Sequence, residues 1–371
     1  MISLAPQQAA GLDLAAAWFK QCKQERGRLT RPIFRIFGYA GTGKTTITKR
    51  LAELTGASVV YAAFTGKAAL MMERNGCYGA STIHGLIYQV QDNNDGSVRF
   101  VWDADSPAAN ADIIVIDECS MVDADLAADL MRYKRPILVL GDPAQLPPVK
   151  GAGYFINAKP DVMLTEIHRQ AADNPIIRMA TIVREGGTLD YGDYGQSKVI
   201  QRGILSPQEV AKADQVLVGK NATRRAYNAR LRRVLGFDGA MPATGDKLVC
   251  LKNDKPMGIF NGGLFKAGEI EDGDERHVAF WAHSDDFPNR APVQCKVRRE
   301  FFEGTADDIP WQHLRGTQQF DFGYALTCHK SQGSQWDDVI AYDESQTFRE
   351  DAAKWLYTAI TRAAKTVTVV R

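Results

Sequence analysis

The stretch Gly38-Tyr39-Ala40-Gly41-Thr42-Gly43-Lys44-Thr45 is a complete phosphate-binding loop of the form G-x-x-x-x-G-K-T. The apolar run Ile33–Phe37 precedes it and a helical pattern from Lys44 to Leu54 follows it, which is the strand-loop-helix context that the motif requires. Backbone N–H groups of such a loop hold polyphosphate, while the lysine neutralises the outer phosphates and the Thr45 hydroxyl binds Mg²⁺. The residues expected to bind the nucleotide here are Gly38, Gly41, Thr42, Gly43, Lys44, Thr45 and Thr46.

An acidic pair, Asp117-Glu118, ends a second apolar run, Ile113–Ile116, and supplies groups that the loop lacks. Transfer of a phosphoryl group to water needs a metal ion, a base, a group that senses the γ-phosphate and positive charge for the transition state. Asp117 is expected to hold Mg²⁺ through water, and Glu118 is expected to orient and deprotonate the attacking water. Gln145, which follows a later strand, is expected to hydrogen-bond the γ-phosphate.

Composition is typical of a globular protein with reduced thiols. The 371 residues allow two or three domains, and 45% apolar with 24% charged residues is an ordinary composition for such a chain. No apolar run reaches the length of a membrane span and the N-terminus has no secretory pattern, so we expect a cytoplasmic location and no membrane partner. The scattered cysteines form no C-x-x-C pair, which argues against a structural zinc site.

Charge indicates nucleic-acid binding only locally, because the net charge of the chain is +1. The segment 215–237 lacks acidic residues. Its basic residues are Lys220, Arg224, Arg225, Arg230, Arg232 and Arg233. A solvated helix face and a nucleic-acid contact explain this segment equally well.

The spacing of short apolar runs predicts a doubly wound α/β domain. Runs at 33–37, 59–64, 113–116 and 137–140 alternate with helical stretches, as buried parallel strands do. Ligands of open parallel sheets bind beyond the carboxyl ends of the strands. The polar clusters that follow the four runs are therefore expected to face one crevice; they are Gly38–Thr45, Thr65–Lys67, Asp117–Ser120 and Gly141–Gln145.

The rest of the chain predicts a hairpin, a second α/β domain and a small β-barrel. Residues 88–102 alternate on both sides of a polar turn, which is typical of a β-hairpin. Strand patterns at 215–218, 338–342 and 366–370 indicate the second α/β domain. Short strand patterns at 247–251, 258–260, 277–282 and 292–298 indicate an inserted barrel. The predicted domains are 1–172 (with the hairpin at about 88–111), 173–246 plus 317–371, and the barrel at 247–316.

The whole set of motifs resembles the superfamily 1 helicases of the RecD/Dda-like group. Besides the phosphate loop and the acidic pair, the stretches that carry the resemblance are Leu4–Gln8, Ala63–Ala69, Ser81–His84, Gly141–Pro148, Leu164–Gln170, Tyr324–Gly333 and Trp355–Ala363. The match extends over nearly the whole chain. It implies two RecA-like P-loop domains, with the hairpin as a strand-separating pin and the barrel as an SH3-like element. It also implies an ATP- and Mg²⁺-dependent DNA helicase that translocates 5′ to 3′ on single-stranded DNA.

The resemblance implies roles for single residues as well. Gln8 would contact the adenine base and Gly333 would lie at the nucleotide. Arg169 and Arg362 would act as arginine fingers at the cleft between the domains, since a guanidinium binds phosphate oxygens with a planar fork. The implied contacts to single-stranded DNA are Phe64, Thr65, Thr82, His84, Thr327, His329 and Lys330. Taken singly, the two histidines and the phenylalanine are compatible with ordinary core or capping positions.

Several alternatives stay open at the level of sequence. Phe100 and Trp102 are candidate wedge residues of the hairpin, and simple hairpin packing explains them equally well. The expected partners are single-stranded and forked duplex DNA together with replication or recombination proteins, and the motor is expected to act as a monomer. An ATP-gated clamp, a translocase without strand separation and an RNA helicase would share the same residues. A phosphotransferase or GTPase would need an Asn-Lys-x-Asp motif, which the sequence lacks.

Overall fold

The computed structural model describes every residue except 1–3, 26–28, 93–97, 149–152, 167–172, 255 and 272. The chain divides into two compact units. The described part of the first unit lies within Met1–Asp92, Val98–Gly187 and Ala353–Thr361, and that of the second lies within Thr188–Ala352 and Arg362–Arg371. Within the described part of the chain, no helix is both long and apolar enough to cross a bilayer.

A six-stranded parallel sheet forms the centre of the first unit. Its strands are β1 (Ile33–Gly38), β2 (Val59–Ala63), β3 (Ser81–Thr82), β6 (Ile113–Asp117), β7 (Ile137–Gly141) and β8 (Val162–Leu164). Their order is β3-β2-β6-β7-β1-β8. The four predicted strands are confirmed within one or two residues, and the short strands β3 and β8 extend the sheet at its edges.

Helices cover both faces of this sheet, which is why its strands are apolar throughout. Successive residues of β1 show the alternation, because Phe34 and Ile36 join one core cluster while Ile33 and Phe37 join the other. The helices of the first unit are α1 (Pro6–Gln24), α2 (Lys44–Thr55), α3 (Gly66–Arg74), α4 (Ile83–Ile87), α5 (Pro107–Asn110), α6 (Ala124–Met131) and α7 (Pro175–Arg184).

The predicted hairpin is present as the antiparallel pair β4 (Tyr88–Asp92) and β5 (Val98–Trp102). Its predicted turn lies in 93–97, outside the described residues. The base of the hairpin is fastened to α6 around one residue, Asp129. The Tyr88 hydroxyl donates to Asp129 Oδ2 at 2.6 Å, and Trp102 Nε1 donates to the Asp129 carbonyl at 3.1 Å.

The second unit contains another six-stranded sheet, in the order β17-β11-β18-β19-β10-β9. Its strands are β9 (Gly192–Tyr194), β10 (Ser197–Ile200), β11 (Gln215–Val218), β17 (Ala325–Thr327), β18 (Trp336–Tyr342) and β19 (Ala363–Val370). All neighbours are parallel except β9 and β10. The three predicted strands are confirmed as β11, β18 and β19. The helices are α8 (Pro207–Lys212), α9 (Asn221–Val234) and α10 (Arg299–Glu303).

In the region of the predicted barrel, the second unit contains a five-stranded antiparallel sheet, and its closure into a barrel stays a prediction. Its strands are β12 (Lys247–Cys250), β13 (Leu264–Glu271), β14 (His277–Ser284), β15 (Val293–Arg298) and β16 (Phe320–Phe322), in the order β15-β14-β13-β12-β16. The prediction of a strand at 258–260 is wrong, because Ile259 makes only a single bridge to Asp254 and Gly262 turns the chain with a φ of 86°. The long strand follows that turn. One further bridge, Val297 to Gln318, joins β15 to the segment before β16.

The borders of the two units differ from the predicted division. Residue 172 lies in a stretch outside the described residues, and the first unit continues to Gly187. That continuation is α7, which begins where the Asn174 side chain accepts from the Ile176 amide at 2.9 Å and ends before Gly186, with its φ of 81°. The helix α11 (Ala352–Ile360) also packs almost entirely with the first unit. Strand β16 lies beyond the predicted end of the barrel at residue 316.

Candidate nucleotide site and nucleic-acid contacts

The phosphate loop joins β1 to α2, and its conformation requires glycine. Gly41 and Gly43 have φ angles of 79° and 72°, in the left-handed region that favours glycine. A Cβ on Gly38 would lie 2.5 Å from Thr42 Oγ1 and 2.9 Å from Leu164 Cβ. Helix α2 begins directly after the loop, so its first amides have no acceptors within the helix and are available to an anion.

Lys44 folds back over this loop. Its Nζ donates to the carbonyl oxygens of Gly38 and Tyr39 at 2.7 and 3.2 Å. The positive charge therefore lies at the concave backbone that the glycines create, and the residues present fit a polyphosphate. Thr45 and Thr46 occupy the first turn of α2, and the side chain of Thr45 is outside the described part of the structure.

The acidic pair lies at the end of β6, next to the strand that precedes the sensor loop. Asp117 Oδ1 accepts from the Glu118 amide at 2.8 Å. Glu118 itself has a φ of 51°, a left-handed conformation that ends the strand abruptly at the carboxyl edge of the sheet. Among the described residues, no three His, Cys, Asp or Glu side chains form a metal cluster. Asp117 and the Thr45 hydroxyl stay the predicted ligands of a Mg²⁺ ion.

The sensor loop, Gly141–Gln145, follows the adjacent strand β7 and is buried. Asp142 is 1% exposed, and its Oδ1 accepts from the Ala144 amide at 3.0 Å. Burial raises the pKa of Asp142, while the nearby Lys44 ammonium acts to lower it. The side-chain oxygen of Gln145 is buried and has no hydrogen-bond partner among the described residues. A buried amide oxygen of this kind is a place for a water molecule or a ligand atom.

Two contacts that the sequence did not predict hold the first half of the phosphate loop. The Ala40 amide donates to the Tyr357 hydroxyl at 2.9 Å, although 317 positions separate the two residues in sequence. The Arg184 guanidinium lies 3.8 Å from the centre of the Tyr39 ring, within the range of a cation–π interaction. The local sign of the first contact is a hydroxyl-bearing pair, Tyr357-Thr358, in a mostly apolar helix.

Gln8, the predicted adenine contact, is buried in this structure and both ends of its amide are bonded. Its Nε2 donates to the Thr42 carbonyl at 2.9 Å, and its Oε1 accepts from the Ala5 amide at 3.0 Å. Gln8 therefore caps α1 and supports the phosphate loop, and its contact with a base stays a prediction. The neighbouring Gln7 accepts from the amides of Thr165 and Glu166 at 2.8 and 2.9 Å. Arg169 lies just beyond, in a stretch outside the described residues.

Four predicted nucleic-acid residues of the first unit lie together after the neighbouring strands β2 and β3. The centre of the Phe64 ring lies 6.1 Å from that of His84. Thr65 and Thr82 are N-caps, since their hydroxyls accept from the amides of Ala68 and Gly85, each at 3.1 Å. Burial lowers the pKa of His84, which favours the neutral form of its ring. This group combines an aromatic face with polar atoms at the carboxyl edge of the sheet.

The two wedge candidates occupy different environments. Phe100 is 60% exposed, and its ring centre lies 6.2 Å from that of Tyr88. Trp102 is half-buried, with its ring centre 4.8 Å from that of Tyr133 and the Arg132 guanidinium 4.0 Å above it. Trp102 thus attaches the hairpin to the domain, whereas Phe100 presents its ring to solvent.

The predicted residues of the second unit lie at the end of β17, in the segment between β17 and β18 and, in the case of Arg362, directly before β19. Thr327 Oγ1 accepts from the Lys330 amide at 3.3 Å, and the Lys330 ammonium hydrogen-bonds Asn261 Oδ1 in the segment between β12 and β13. Burial lowers the pKa values of both Lys330 and His329. Arg362 is 6% exposed, and its Nη1 donates to the Ser334 carbonyl at 3.2 Å. Its role as an arginine finger stays a prediction, as does that of Gly333.

The arginines of the basic segment lie in helix α9, and three of them bond to residues in the antiparallel sheet or in the segments that flank its strands. Arg232 forms a buried ion pair with Asp246, with Nη2 to Oδ2 at 2.8 Å. Arg224 Nη1 lies 2.6 Å from Asp321 Oδ2, and Arg225 donates to the Gly304 carbonyl at 3.1 Å. These contacts give a third explanation of the basic segment, besides a solvated helix face and a nucleic-acid contact. The sequence did not show it, because the partners lie outside the segment.

Comparison with known proteins relates these features to two family models and to characterised relatives. Residues 28–204 match a model described as an AAA domain, and residues 322–370 match a UvrD-like helicase C-terminal domain. The ATP-dependent RecD2 DNA helicase of Deinococcus radiodurans is 29% identical over 364 residues, which cover 88% of this chain and 45% of that protein. The ATP-dependent DNA helicase dda of Enterobacteria phage T4 is 31% identical over 182 residues, 45% of this chain and 40% of that protein.

The chain thus spans less than half the length of each of these two relatives. Among solved structures, Bacteroides Pif1 bound to ssDNA shares the fold with a TM-score of 0.62 at 18% identity, over 99% of this chain and 92% of that chain. The family models and the relatives thus support the resemblance to superfamily 1 helicases that the motifs carry, and the solved structure shows that the fold is shared.

Proposed function

We propose that this chain is an ATP-dependent DNA helicase that translocates 5′ to 3′ on single-stranded DNA. One observation carries the proposal. The phosphate loop, the acidic pair and the sensor loop follow β1, β6 and β7, which are neighbours in one parallel sheet in the order β6-β7-β1. Their functional groups therefore share one carboxyl edge, as phosphoryl transfer to water requires.

Different residues of the chain have different roles in the proposed hydrolysis. The loop amides and Lys44 bind and orient the triphosphate, and Glu118 holds the attacking water and accepts its proton. Gln145 offers its buried amide to the water or to the γ-phosphate. Asp117 and Thr45 would hold a Mg²⁺ ion, which would neutralise charge on the phosphate oxygens. Arg169 and Arg362 would add positive charge for the transition state, with Gln8 and Gly333 beside the nucleotide.

DNA is the polymer that the relatives favour. The RecD2 and dda proteins are named as DNA helicases, and the Pif1 structure contains single-stranded DNA. In this chain, Phe64 offers a ring for base stacking beside polar atoms of Thr65, Thr82 and His84. Thr327, His329 and Lys330 would supply contacts from the second unit, and Phe100 would meet a duplex at a fork. We infer a cytoplasmic, monomeric motor that works with replication or recombination proteins.

ATP hydrolysis with and without single-stranded DNA, followed by unwinding of a fork, tests the proposal. We expect DNA to stimulate hydrolysis and ATP to drive strand separation. Lys44→Ala should abolish both activities while the far-ultraviolet circular dichroism stays unchanged, because the loop loses its charge but keeps its glycines. Lys20→Ala, an exposed change on α1, is the matched control. Substantial DNA-stimulated turnover by Lys44→Ala would refute the site, and hydrolysis without unwinding would indicate a clamp or translocase.

A further inference from the structure

The Tyr357 hydroxyl lies between two loops of the candidate nucleotide site. Tyr357 is 1% exposed, in the middle of α11. Its Oη accepts from the Ala40 amide of the phosphate loop at 2.9 Å and donates to Asp142 Oδ2 of the sensor loop at 2.7 Å. The second oxygen of Asp142 accepts from the Ala144 amide at 3.0 Å. A continuous chain of hydrogen bonds therefore joins the two loops through one side chain.

The direction of every bond in this chain follows from its donors. A backbone amide can only donate, so Tyr357 Oη must accept from Ala40 and send its own proton to Asp142. Asp142 then accepts on both oxygens, which is the pattern of an ionised carboxylate. Hydrogen bonds to a charged partner are shorter and stronger than neutral ones, and low exposure strengthens them further. The tyrosine hydroxyl is thus bonded at both its acceptor and its donor position.

The residue after Tyr357 makes a second connection to the same loop. Thr358 Oγ1 accepts from the Leu146 amide at 2.8 Å, and the bond is buried. The two connections from α11 reach the sensor loop at Asp142 and at Leu146, on either side of Gln145. The position of Gln145, whose amide oxygen has no hydrogen-bond partner among the described residues, therefore depends on this helix.

We propose that Tyr357 is a positioning residue for ATP hydrolysis. Its hydroxyl holds the sensor loop, and with it Gln145, in a fixed position relative to the phosphate loop. The inference rests on the proposed function, since it assumes that the site hydrolyses ATP. Removing the hydroxyl leaves the loop amides and Lys44 able to bind phosphate. It releases Asp142 from the phosphate loop, so the group that meets the water or the γ-phosphate loses its position. Hydrolysis should suffer far more than binding.

Tyr357→Phe in the full chain tests this separation by steady-state ATPase with saturating single-stranded DNA. We expect kcat to fall about tenfold, the effect of losing one hydrogen bond to a charged group, with KM for ATP changed less than about twofold. The acid limb of the pH profile of kcat should move to higher pH. Burial and the nearby Glu118 raise the pKa of Asp142, whereas Lys44 and the Tyr357 hydroxyl lower it. Because the variant lacks the hydroxyl, the pKa of Asp142 should be higher than in the wild type.

A matched control removes another buried tyrosine hydroxyl from the same unit. Tyr133 is 8% exposed and donates to the Asp103 carbonyl at 2.6 Å, away from the phosphate and sensor loops. Tyr133→Phe should keep the wild-type kcat and pH profile even where it lowers the melting temperature. Asp142→Asn combined with Tyr357→Phe should lower kcat little beyond the worse single variant, because both changes break one connection.

The outcomes separate this inference from the proposed function. A wild-type chain without DNA-stimulated ATPase would overturn both. If the wild type is active and Tyr357→Phe has the same kcat and pH profile, the positioning role alone would be overturned. Should Tyr357→Phe fail to fold, Thr358→Val removes the second connection, and a kcat within twofold of wild type would count against α11 as the support of the sensor loop.

Discussion

At the scale of single residues, Glu118 combines a strained backbone with the position expected of a catalytic base. Its φ of 51° places a non-glycine residue in the left-handed region, at a free-energy cost of roughly 1 kcal/mol. The conformation ends β6 directly after Asp117 and leaves the carboxylate at the edge of the sheet. Local sequence preference does not explain this conformation, so we expect it to serve the role predicted for Glu118.

Glu118→Gln keeps the size of the side chain and removes its basicity. We expect kcat to fall at least about 100-fold, because a positioned base contributes a factor of that order, while nucleotide affinity is retained. Steady-state ATPase and titration with a fluorescent nucleotide measure the two quantities. Glu53→Gln, an exposed change on α2, is the control. A Glu118→Gln variant within threefold of wild type would show that another group orients the water.

At the scale of elements, the hairpin has a fastened base and an exposed face. Asp129 holds the first residue of β4 and the last residue of β5, and Arg132 covers the Trp102 ring. Phe100 lies on the same hairpin with 60% of its surface exposed. An element anchored in this way is able to resist force at its outer end, which is what strand separation would demand.

The two aromatic residues of the hairpin should therefore respond differently to replacement by alanine. Phe100→Ala should lower unwinding several-fold and leave both stability and DNA-stimulated ATPase unchanged, because the ring has few contacts to lose. Trp102→Ala should lower the free energy of unfolding by about 2 kcal/mol, somewhat less than for a fully buried tryptophan. Strand displacement, ATPase and chemical denaturation measure the three effects. Equal unwinding by Phe100→Ala and wild type would exclude Phe100 as the wedge.

At the scale of the whole molecule, the direction of travel is the property that the resemblance to the helicases predicts most sharply. We expect forks with a 5′ single-stranded tail to be unwound and forks with a 3′ tail of equal length to be left intact. The chain's resemblance to RecD/Pif1-like proteins carries this expectation, since no single residue encodes polarity. Strand-displacement assays with matched tails measure it, with Lys44→Ala as the inactive control. Unwinding from the 3′ tail would contradict the direction and leave the ATPase assignment standing.

Much of the first unit could be predicted from local sequence. The strands β1, β2, β6 and β7 are continuous apolar runs, and the phosphate loop needs glycines at fixed positions whatever surrounds it. The strands β3 and β8 have only two and three residues, too few to show a pattern. The strand predicted at 258–260 is absent because the chain turns at Gly262, and β13 begins only after that turn.

The sequence by itself determined the groups of the candidate site: a phosphate loop, an acidic pair and a glutamine, each at the end of an apolar strand. Tertiary structure decided how those groups are supported. The Tyr357 hydroxyl accepts a hydrogen bond from the Ala40 amide across 317 positions. Arg232 forms an ion pair with Asp246, and the Gln8 amide donates to the Thr42 carbonyl. The physical reason is that periodicity and glycine placement report on local backbone and burial, whereas buried hydrogen bonds depend on which elements come to lie side by side.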